Sequence, residues 1–351
     1  AEFTLLSGDA TTTKVSSDNA YATGAVKITK TVDDSTNLWG NADFEARLLC
    51  TDDDAAASDS VVYDGTVTLN KTTTSQTIYD LPTGASCTVT ETKTGGANTT
   101  TITGGTFTVS DNPDDPSQVG ITNTFTTGKV KVTKTVQANG VATSAEPWVS
   151  GTYPVTLACT RSVNGSDVAI TVPDEATRNL TSANNFTTTY ANLPTGATCA
   201  VTEASAGSVS GQPDPEVTIT DPVTVGNATT ANIGVTNNFR AGTLVINKTL
   251  TGAGASFFSG ATFDVSCTLD AKTVFTASDV AVSSIDLKSA PLGPLPFGAS
   301  CQVSETDTGG ADATPGDNTV VITKNDATSD MNSTTFENKF SAGTVTVSKA
   351  V

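Results

Sequence analysis

Apolar and polar residues alternate along short segments of this chain. The segment 24–32 places Val26 and Ile28 on one parity, with polar residues between them. Many other segments share this pattern; they are rich in Val, Ile, Thr and Phe and are bounded by Gly, Pro, Asn and Asp, as β-strands are. No stretch keeps a 3.6-residue apolar period over three turns. The pattern therefore predicts an all-β protein.

Three blocks of sequence recur along the chain, which indicates a tandem repeat. The first block, GAVKITKTV in its first copy, occupies 24–32, 128–136, 242–250 and 343–351. The second, LPTGASCTVTE in its first copy, occupies 81–91, 193–203 and 295–305. The third, ITNTFTTG in its first copy, occupies 121–128, 235–242 and 336–343. Each repeat has a length typical of one small domain.

These blocks predict three complete β-sandwich repeats, which span 24–127, 128–241 and 242–342. Residues 1–23 match the last strands of a preceding repeat, because Asn19 lies five residues before Gly24, as Asn123 lies five residues before Gly128. Residues 343–351 match the first strand of a following repeat. Only two residues join the last aromatic of one repeat to the first glycine of the next, so we expect a stiff rod.

Strand parity places polar residues on faces that otherwise belong to the core, because alternate side chains share a face. On this inward face, the first strand carries a lysine and the last strand carries an asparagine. A strand between them carries a glutamate on the same parity as a cysteine and a valine. The three sets are Lys30, Glu91 and Asn123; Lys134, Glu203 and Asn237; Lys248, Glu305 and Asn338. In the third repeat, the first strand contains a single lysine, Lys248. Other lysines in the first strands of the first and second repeats differ from it in position and parity; they are Lys27, Lys129 and Lys131.

Three buried polar groups in one repeat must meet, because each costs several kcal/mol when it is buried without a partner. Burial lowers the pKa of a lysine and makes its neutral amine a nucleophile. A protonated glutamate can polarise the asparagine carboxamide and move protons. We therefore expect one Lys–Asn isopeptide bond in each repeat, formed with loss of ammonia and catalysed by the glutamate. The alternative is a buried, unreacted hydrogen-bonded cluster.

This order of lysine, glutamate and asparagine resembles the B-type domains of Gram-positive collagen adhesins and the SpaA-type pilins. The resemblance extends over residues 24–340. It implies tandem immunoglobulin-like (reverse-Ig) β-sandwiches that are closed by autocatalytic isopeptide bonds. The implied bonds are Lys30–Asn123, Lys134–Asn237 and Lys248–Asn338, with Glu91, Glu203 and Glu305 as the catalytic residues. It also implies a surface protein of a Gram-positive, and in our interpretation actinobacterial, cell.

Each complete repeat contains two cysteines. Six cysteines allow fifteen pairings, but only pairing within each repeat treats the three repeats alike. The expected disulfides are Cys50–Cys87, Cys159–Cys199 and Cys267–Cys301. Such bonds indicate an oxidising compartment outside the cytosol. The alternative is six reduced cysteines in the core.

Composition excludes several classes of function. The chain has 18 Lys and Arg against 36 Asp and Glu, for a net charge of −18, so nucleic acid and anionic membrane surfaces are poor partners. It contains no histidine, the commonest general base and transition-metal ligand, so we expect no metal and no cofactor. No apolar run approaches the length of a membrane span, and we expect no membrane insertion of this segment.

The sequence thus predicts a non-enzymatic structural protein whose only chemistry is its own cross-linking. We expect it to form a stalk, pilus or fibre segment at the cell surface, with further repeats of the same chain, or other copies of it in a fibre, as partners. The alternative is an adhesin module that binds a host protein or a glycan through its loops. An enzyme would need a group of catalytic residues in one repeat only, and the sequence contains none.

Overall fold

The computed structural model describes residues 21–52, 60–142, 151–324 and 331–350. In these ranges the chain is almost entirely strand and loop, with two short 3₁₀ helices at Ser182–Asn184 and Ala255–Phe257. The all-β prediction is confirmed. The chain divides into two compact units, of which one comprises 1–126 and 162–166 and the other 127–161 and 167–351. Residues 1–20, which include Asn19 and most of the predicted N-terminal strands, lie outside the described residues.

In the described part of the first repeat, eight strands form two sheets. The strands are β1 Thr23–Asp34, β2 Phe44–Asp52, β3 Ser60–Leu69, β4 Ser75–Pro82, β5 Ser86–Lys93, β6 Thr99–Thr103, β7 Thr106–Thr108 and β8 Ser117–Phe125. One sheet has the order β4-β1-β8-β6 and the other has the order β3-β2-β5-β7. Strands β1 and β8 are parallel neighbours, and β2 and β5 are antiparallel neighbours.

The second repeat has the same two-sheet plan, with ten strands among its described residues. They are β9 Thr127–Ala138, β10 Val141–Ala142, β11 Tyr153–Val163, β12 Ser166–Ile170, β13 Thr177–Leu180, β14 Thr187–Pro194, β15 Thr198–Glu203, β16 Glu216–Ile219, β17 Val223–Thr224 and β18 Thr230–Phe239. The first sheet has the order β10-β9-β18-β16, with β14 also paired to β9. The second has the order β12-β11-β15-β17, with β13 also paired to β11.

The third repeat contributes seven strands where the chain is described. They are β19 Ala241–Thr251, β20 Ala261–Leu269, β21 Lys272–Val282, β22 Leu292–Pro296, β23 Ser300–Asp307, β24 Asn318–Val321 and β25 Asn332–Lys339. The sheets have the orders β22-β19-β25 and β21-β20-β23-β24. In all three repeats, the first and last strands are parallel neighbours in one sheet, and the cysteine-bearing strands are antiparallel neighbours in the other.

The core of each repeat lies between its two sheets, as in other β-sandwiches. In the first repeat, Ile28 from one sheet packs in the same buried cluster as Leu48 and Val89 from the other. Apolar residues at alternating positions of the facing strands are buried in all three repeats. Those residues are Val26, Ile28, Phe44, Ala46, Leu48, Val89, Ile121 and Phe125; Val130, Val132, Tyr153, Val155, Leu157, Val201, Val235 and Phe239; Leu244, Ile246, Val303, Phe336 and Phe340.

The six cysteines, all of them among the described residues, form three disulfides. The pairs are Cys50–Cys87, Cys159–Cys199 and Cys267–Cys301. Each bond joins directly opposed residues of two neighbouring strands, so it lies within one sheet and does not bridge the two sheets. The other sheet of each repeat, which holds the first and last strands, contains no disulfide.

Residues 343–350, which match the first strand of a repeat in sequence, form no strand here. They are exposed along their length, with Val345 90% and Val347 87% accessible to solvent. Within the described ranges, no helix has the length and apolar character that crossing a membrane requires.

Candidate isopeptide sites

The lysine and asparagine of each repeat occupy the same positions on two parallel neighbouring strands. Lys30 on β1 is opposite Ile121, and Asn123 on β8 is opposite Val32. The two residues are therefore two positions apart in register and share one face of the sheet. The second and third repeats keep this register: Lys134 is opposite Val235 and Asn237 opposite Val136; Lys248 is opposite Phe336 and Asn338 opposite Leu250.

The glutamate reaches this pair from the facing sheet. Glu91, two residues before the end of β5, is opposite Ala46 of β2, and it follows Cys87 and Val89 on the inward parity. Glu203 is opposite Val155 and Glu305 opposite Phe263 in the same way. The structure therefore brings together all three residues of each predicted set. By contrast, Lys129 and Lys131 are exposed.

In the first repeat, one carboxylate oxygen contacts both of the residues expected to react. The Oε1 atom of Glu91 lies 2.7 Å from the Nζ atom of Lys30 and accepts a hydrogen bond of 2.9 Å from the Nδ2 atom of Asn123. The Nδ2 atom also donates to the backbone oxygen of Thr94 at 3.0 Å, which fixes the orientation of the carboxamide. The Lys30 and Glu91 side chains are 1% and 2% exposed.

The third repeat has the same arrangement. The Oε1 atom of Glu305 lies 2.5 Å from the Nζ atom of Lys248 and accepts from the Nδ2 atom of Asn338 at 3.0 Å. The Nδ2 atom of Asn338 also donates to the backbone oxygen of Thr308 at 2.9 Å, the counterpart of Thr94. The carboxamide is therefore oriented as it is in the first repeat.

The second repeat differs in one contact. Lys134 Nζ lies 2.8 Å from the Oε1 atom of Glu203, and Asn237 Nδ2 donates to the backbone oxygen of Ala206 at 2.8 Å. However, Asn237 donates no hydrogen bond to Glu203, whose Oε2 atom is buried without a hydrogen-bond partner. The second repeat thus lacks the direct bond between asparagine and glutamate that the other two repeats contain.

Each lysine amine lies near an aromatic ring and is removed from water, which lowers its pKa. The Nζ atom of Lys30 lies 4.4 Å from the ring centre of Phe44, that of Lys134 4.8 Å from Tyr153, and that of Lys248 5.4 Å from Phe263. Removal from water lowers the pKa of all three lysines, and the glutamate partner offsets this only in part. Burial, together with the nearby Glu203, raises the pKa of Tyr153 to about 12.

Buried polar atoms without a hydrogen-bond partner are concentrated at these sites. Among the described residues, six of the eight such side-chain atoms belong to the second and third clusters. They are Lys134 Nζ, Glu203 Oε1, Glu203 Oε2, Asn237 Oδ1, Glu305 Oε2 and Asn338 Oδ1. The first two of these atoms still form an ion pair with each other at 2.8 Å. Because native proteins satisfy nearly all buried polar groups, each of these atoms needs a physical explanation.

One residue at the first site was missed by sequence reasoning. The hydroxyl of Thr100, on β6, lies 2.9 Å from the Oε2 atom of Glu91 and 3.0 Å from the Oδ1 atom of Asn123. The threonine-rich segment Thr99–Thr103 has a high strand propensity, but propensity does not reveal that this strand pairs with β8. That pairing places Thr100 opposite Asn123.

A shared carboxylate oxygen gives the first and third sites a defined chemical capacity. It can accept a proton from an attacking amine and deliver the proton to an amide nitrogen that leaves as ammonia. The lowered lysine pKa increases the fraction of neutral, nucleophilic amine. The geometry thus provides a nucleophile, an acid–base group and an acceptor carboxamide in one buried cluster.

A family model described as "Domain of unknown function (DUF5979)" matches the chain three times, at residues 26–126, 130–240 and 244–347. The chain belongs to the DUF5979 family. Each DUF5979 match contains one complete cluster of lysine, glutamate and asparagine and one disulfide. No curated protein sequence matches the chain.

Several solved structures are similar to these DUF5979 repeats at low identity. Two B repeat units of the Staphylococcus aureus collagen-binding protein match at 18% identity, covering 92% of this chain and 74% of theirs, with a TM-score of 0.27. The Bacillus anthracis TIE protein matches at 13% identity (91% and 51% covered, TM-score 0.36). The Streptococcus pyogenes major pilin matches at 14% identity (63% and 100% covered, TM-score 0.32). The similar structures thus include collagen-adhesin B repeats and a pilin.

Proposed function

We propose that this chain is a segment of a cell-surface stalk, pilus or fibre in which each repeat closes with a Lys–Asn isopeptide bond. The observation that carries the proposal is the shared Glu Oε1 atom, which contacts the lysine amine and the asparagine amide in the first and third repeats. The three domains are 24–127, 128–241 and 242–342, with an extracellular location. That the cell is an actinobacterium stays a prediction.

The proposed reaction joins the lysine Nζ atom to the asparagine Cγ atom and releases the Nδ2 atom as ammonia. It replaces a buried amine and a buried primary amide by one secondary amide. The reaction therefore removes the lysine charge from the core, and charges are the groups that cost most to bury. In the second repeat it would convert Lys134 Nζ, a buried atom without a hydrogen-bond partner, into an amide nitrogen.

The location of the bond suits a protein under tension. The chain enters the first repeat at the start of β1 and leaves it at the end of β8, and these strands are parallel. Pulling on the two ends would shear β1 against β8. A bond between Lys30 and Asn123 would carry the force directly from one strand to the other, so residues 31–122 would bear none of it.

Intact-mass measurement of the reduced protein tests the proposal. The parent chain should weigh less than its sequence by one ammonia for each of three closed repeats. Glu91→Ala should leave the first repeat open and the other two closed, because each cluster acts alone. Glu45→Ala, which removes a glutamate from a partly exposed pair with Lys93, is the matched control and should lose three ammonia molecules. A parent chain at full sequence mass would overturn the proposal.

The adhesin alternative makes a different prediction. A single repeat would then show saturable binding to a host protein or a glycan, with one repeat more active than the others. A stalk requires no such binding. Binding measurements on each of the three repeats, with and without the Glu→Ala changes, therefore separate the two functions.

A further inference from the structure

The first cluster differs from the other two at two atoms, the glutamate Oε2 and the asparagine Oδ1. In the first repeat, the Thr100 hydroxyl lies within hydrogen-bond distance of both atoms, at 2.9 Å from Glu91 Oε2 and 3.0 Å from Asn123 Oδ1. In the third repeat, Glu305 Oε2 and Asn338 Oδ1 are buried without a partner. The corresponding atoms of Glu203 and Asn237 also lack one. Thr100 therefore supplies a hydroxyl for which the other two clusters have no counterpart.

Strand register explains why only the first cluster has this hydroxyl. Strand β6 pairs with β8 so that Thr100 is opposite Asn123. In the second repeat, β16 pairs with β18 in the same way, but the residue opposite Asn237 is Val217. In the third repeat, the described sheet ends at β25, and no strand is paired beyond it there. A valine has no proton to donate, and its methyl groups cannot replace the hydroxyl.

Proton counting at Thr100 determines what the hydroxyl can do. It carries one proton and lies between two oxygens that are both acceptors when Glu91 is ionised. Both contacts become hydrogen bonds if Glu91 carries a proton on Oε2, donates it to Thr100, and Thr100 donates to the Asn123 carbonyl. That arrangement polarises the carbonyl toward attack by the Lys30 amine.

Building on the proposed isopeptide reaction, we propose that Thr100 is a catalytic residue of the first repeat, which relays a proton between Glu91 Oε2 and Asn123 Oδ1. As the neutral Lys30 amine attacks Cγ, Oδ1 takes the Thr100 proton and Thr100 takes the Glu91 proton. The Oε1 atom of the resulting carboxylate then takes a proton from the Lys30 nitrogen and gives it to Nδ2.

The last step breaks the Cγ–Nδ2 bond and regenerates the glutamic acid. Ammonia leaves with the proton delivered by Oε1. The proton on Oδ1 returns through Thr100 to Oε2, so the carbonyl forms again. One Cγ–N bond is made, one is broken, and Glu91 and Thr100 end in the states in which they began. No oxidant or other reactant is required.

The relay predicts that the three repeats close at different rates. The first repeat has a donor aimed at the oxygen that becomes negative in the transition state, and the other two do not. Removing one such donor from an enzyme typically slows its reaction by about a hundredfold or more. Thr100→Val should therefore slow closure of the first repeat by about a hundredfold and leave the second and third unchanged.

Pulse-chase synthesis of the full chain in an oxidising cell-free system measures these rates. Samples are stopped in denaturant and digested, and the cross-linked peptides that contain Lys30–Asn123, Lys134–Asn237 and Lys248–Asn338 are quantified by mass spectrometry. Thr100→Ser keeps the hydroxyl and should retain at least a tenth of the parent rate. Val217→Thr should accelerate closure of the second repeat.

Different outcomes separate the relay from the reaction on which it rests. If the parent forms no cross-linked peptide in any repeat, the isopeptide proposal fails and the relay fails with it. If Glu91→Ala blocks closure of the first repeat but Thr100→Val closes at the parent rate, the relay alone is overturned. Thr100→Val should fold, because valine is favoured in strands, and the yield of the Cys50–Cys87 disulfide measures whether it has. A slow rate of closure with a normal disulfide yield supports the relay.

Discussion

The side chain of Asn139 exchanges two hydrogen bonds with the backbone of Ala241. Its Nδ2 atom donates to the Ala241 oxygen at 2.6 Å, and its Oδ1 atom accepts from the Ala241 amide at 3.1 Å. Asn139 follows β9 of the second repeat, and Ala241 opens β19 of the third. Ala241 is fully buried, so one amide side chain satisfies both backbone groups where the third repeat begins.

Replacing Asn139 should loosen this joint. Asn139→Ala leaves the buried Ala241 amide and carbonyl without partners, and we expect a loss of about 2 kcal/mol in the free energy of unfolding. Hydrogen exchange at the Ala241 amide should accelerate. Asn164→Ala is the matched control, because Asn139 and Asn164 have similar positive φ angles of 49° and 51°. The joint has no such role if both variants lose equal stability and exchange at Ala241 is unchanged.

The buried lysine gives a pH-dependent stability when it cannot react. In Asn123→Ala, Lys30 stays a free amine whose pKa burial lowers from the ordinary 10.5. The unfolded chain then binds the proton more tightly than the folded chain. The stability of the first repeat should therefore rise as pH increases from the lowered pKa toward 10.5. Urea denaturation at a series of pH values measures this slope.

Lys30→Met in the same Asn123→Ala background serves as the control for that slope. It removes the titrating amine and keeps an apolar chain of similar length. The pH dependence of the first repeat should flatten in this double variant. An equal slope in both proteins would show that Lys30 is not the group responsible.

Mechanical extension should depend on Glu91. In the parent chain, pulling on the ends should extend none of the three repeats to its full length, because in each repeat the force passes directly from the lysine to the asparagine. Glu91→Gln should allow the first repeat alone to extend, by on the order of 200 Å with its disulfide intact. Single-molecule force spectroscopy measures this step. The same step in the parent chain would contradict the proposed cross-link.

Lys349 should remain unmodified in this chain. It occupies the place of Lys248 in the fourth copy of the first block, but it is exposed and belongs to none of the three described clusters. Peptide mapping should recover Lys349 as a free amine. A cross-link at Lys349 would show that an isolated first strand can react without its own cluster.

Sequence alone predicted the parts of this molecule that strand parity determines. Lys248, Glu305 and Asn338 were assigned to inward faces by alternation, and the structure buries all three. Thr100 was not predicted, because its role depends on the pairing of β6 with β8, and that part of the sequence differs among the repeats. The Asn139–Ala241 contact was missed for a similar reason: it joins residues 102 positions apart.

The position of the disulfide has a consequence for a repeat that has reacted. The bond between Cys50 and Cys87 lies wholly within the span from Lys30 to Asn123, so the closed repeat would be a covalent ring enclosing a smaller ring. A protease that cut once anywhere between residues 31 and 122 would open a ring without separating the chain into two pieces. Such a protein could be nicked in an exposed loop of every repeat and still remain one continuous molecule.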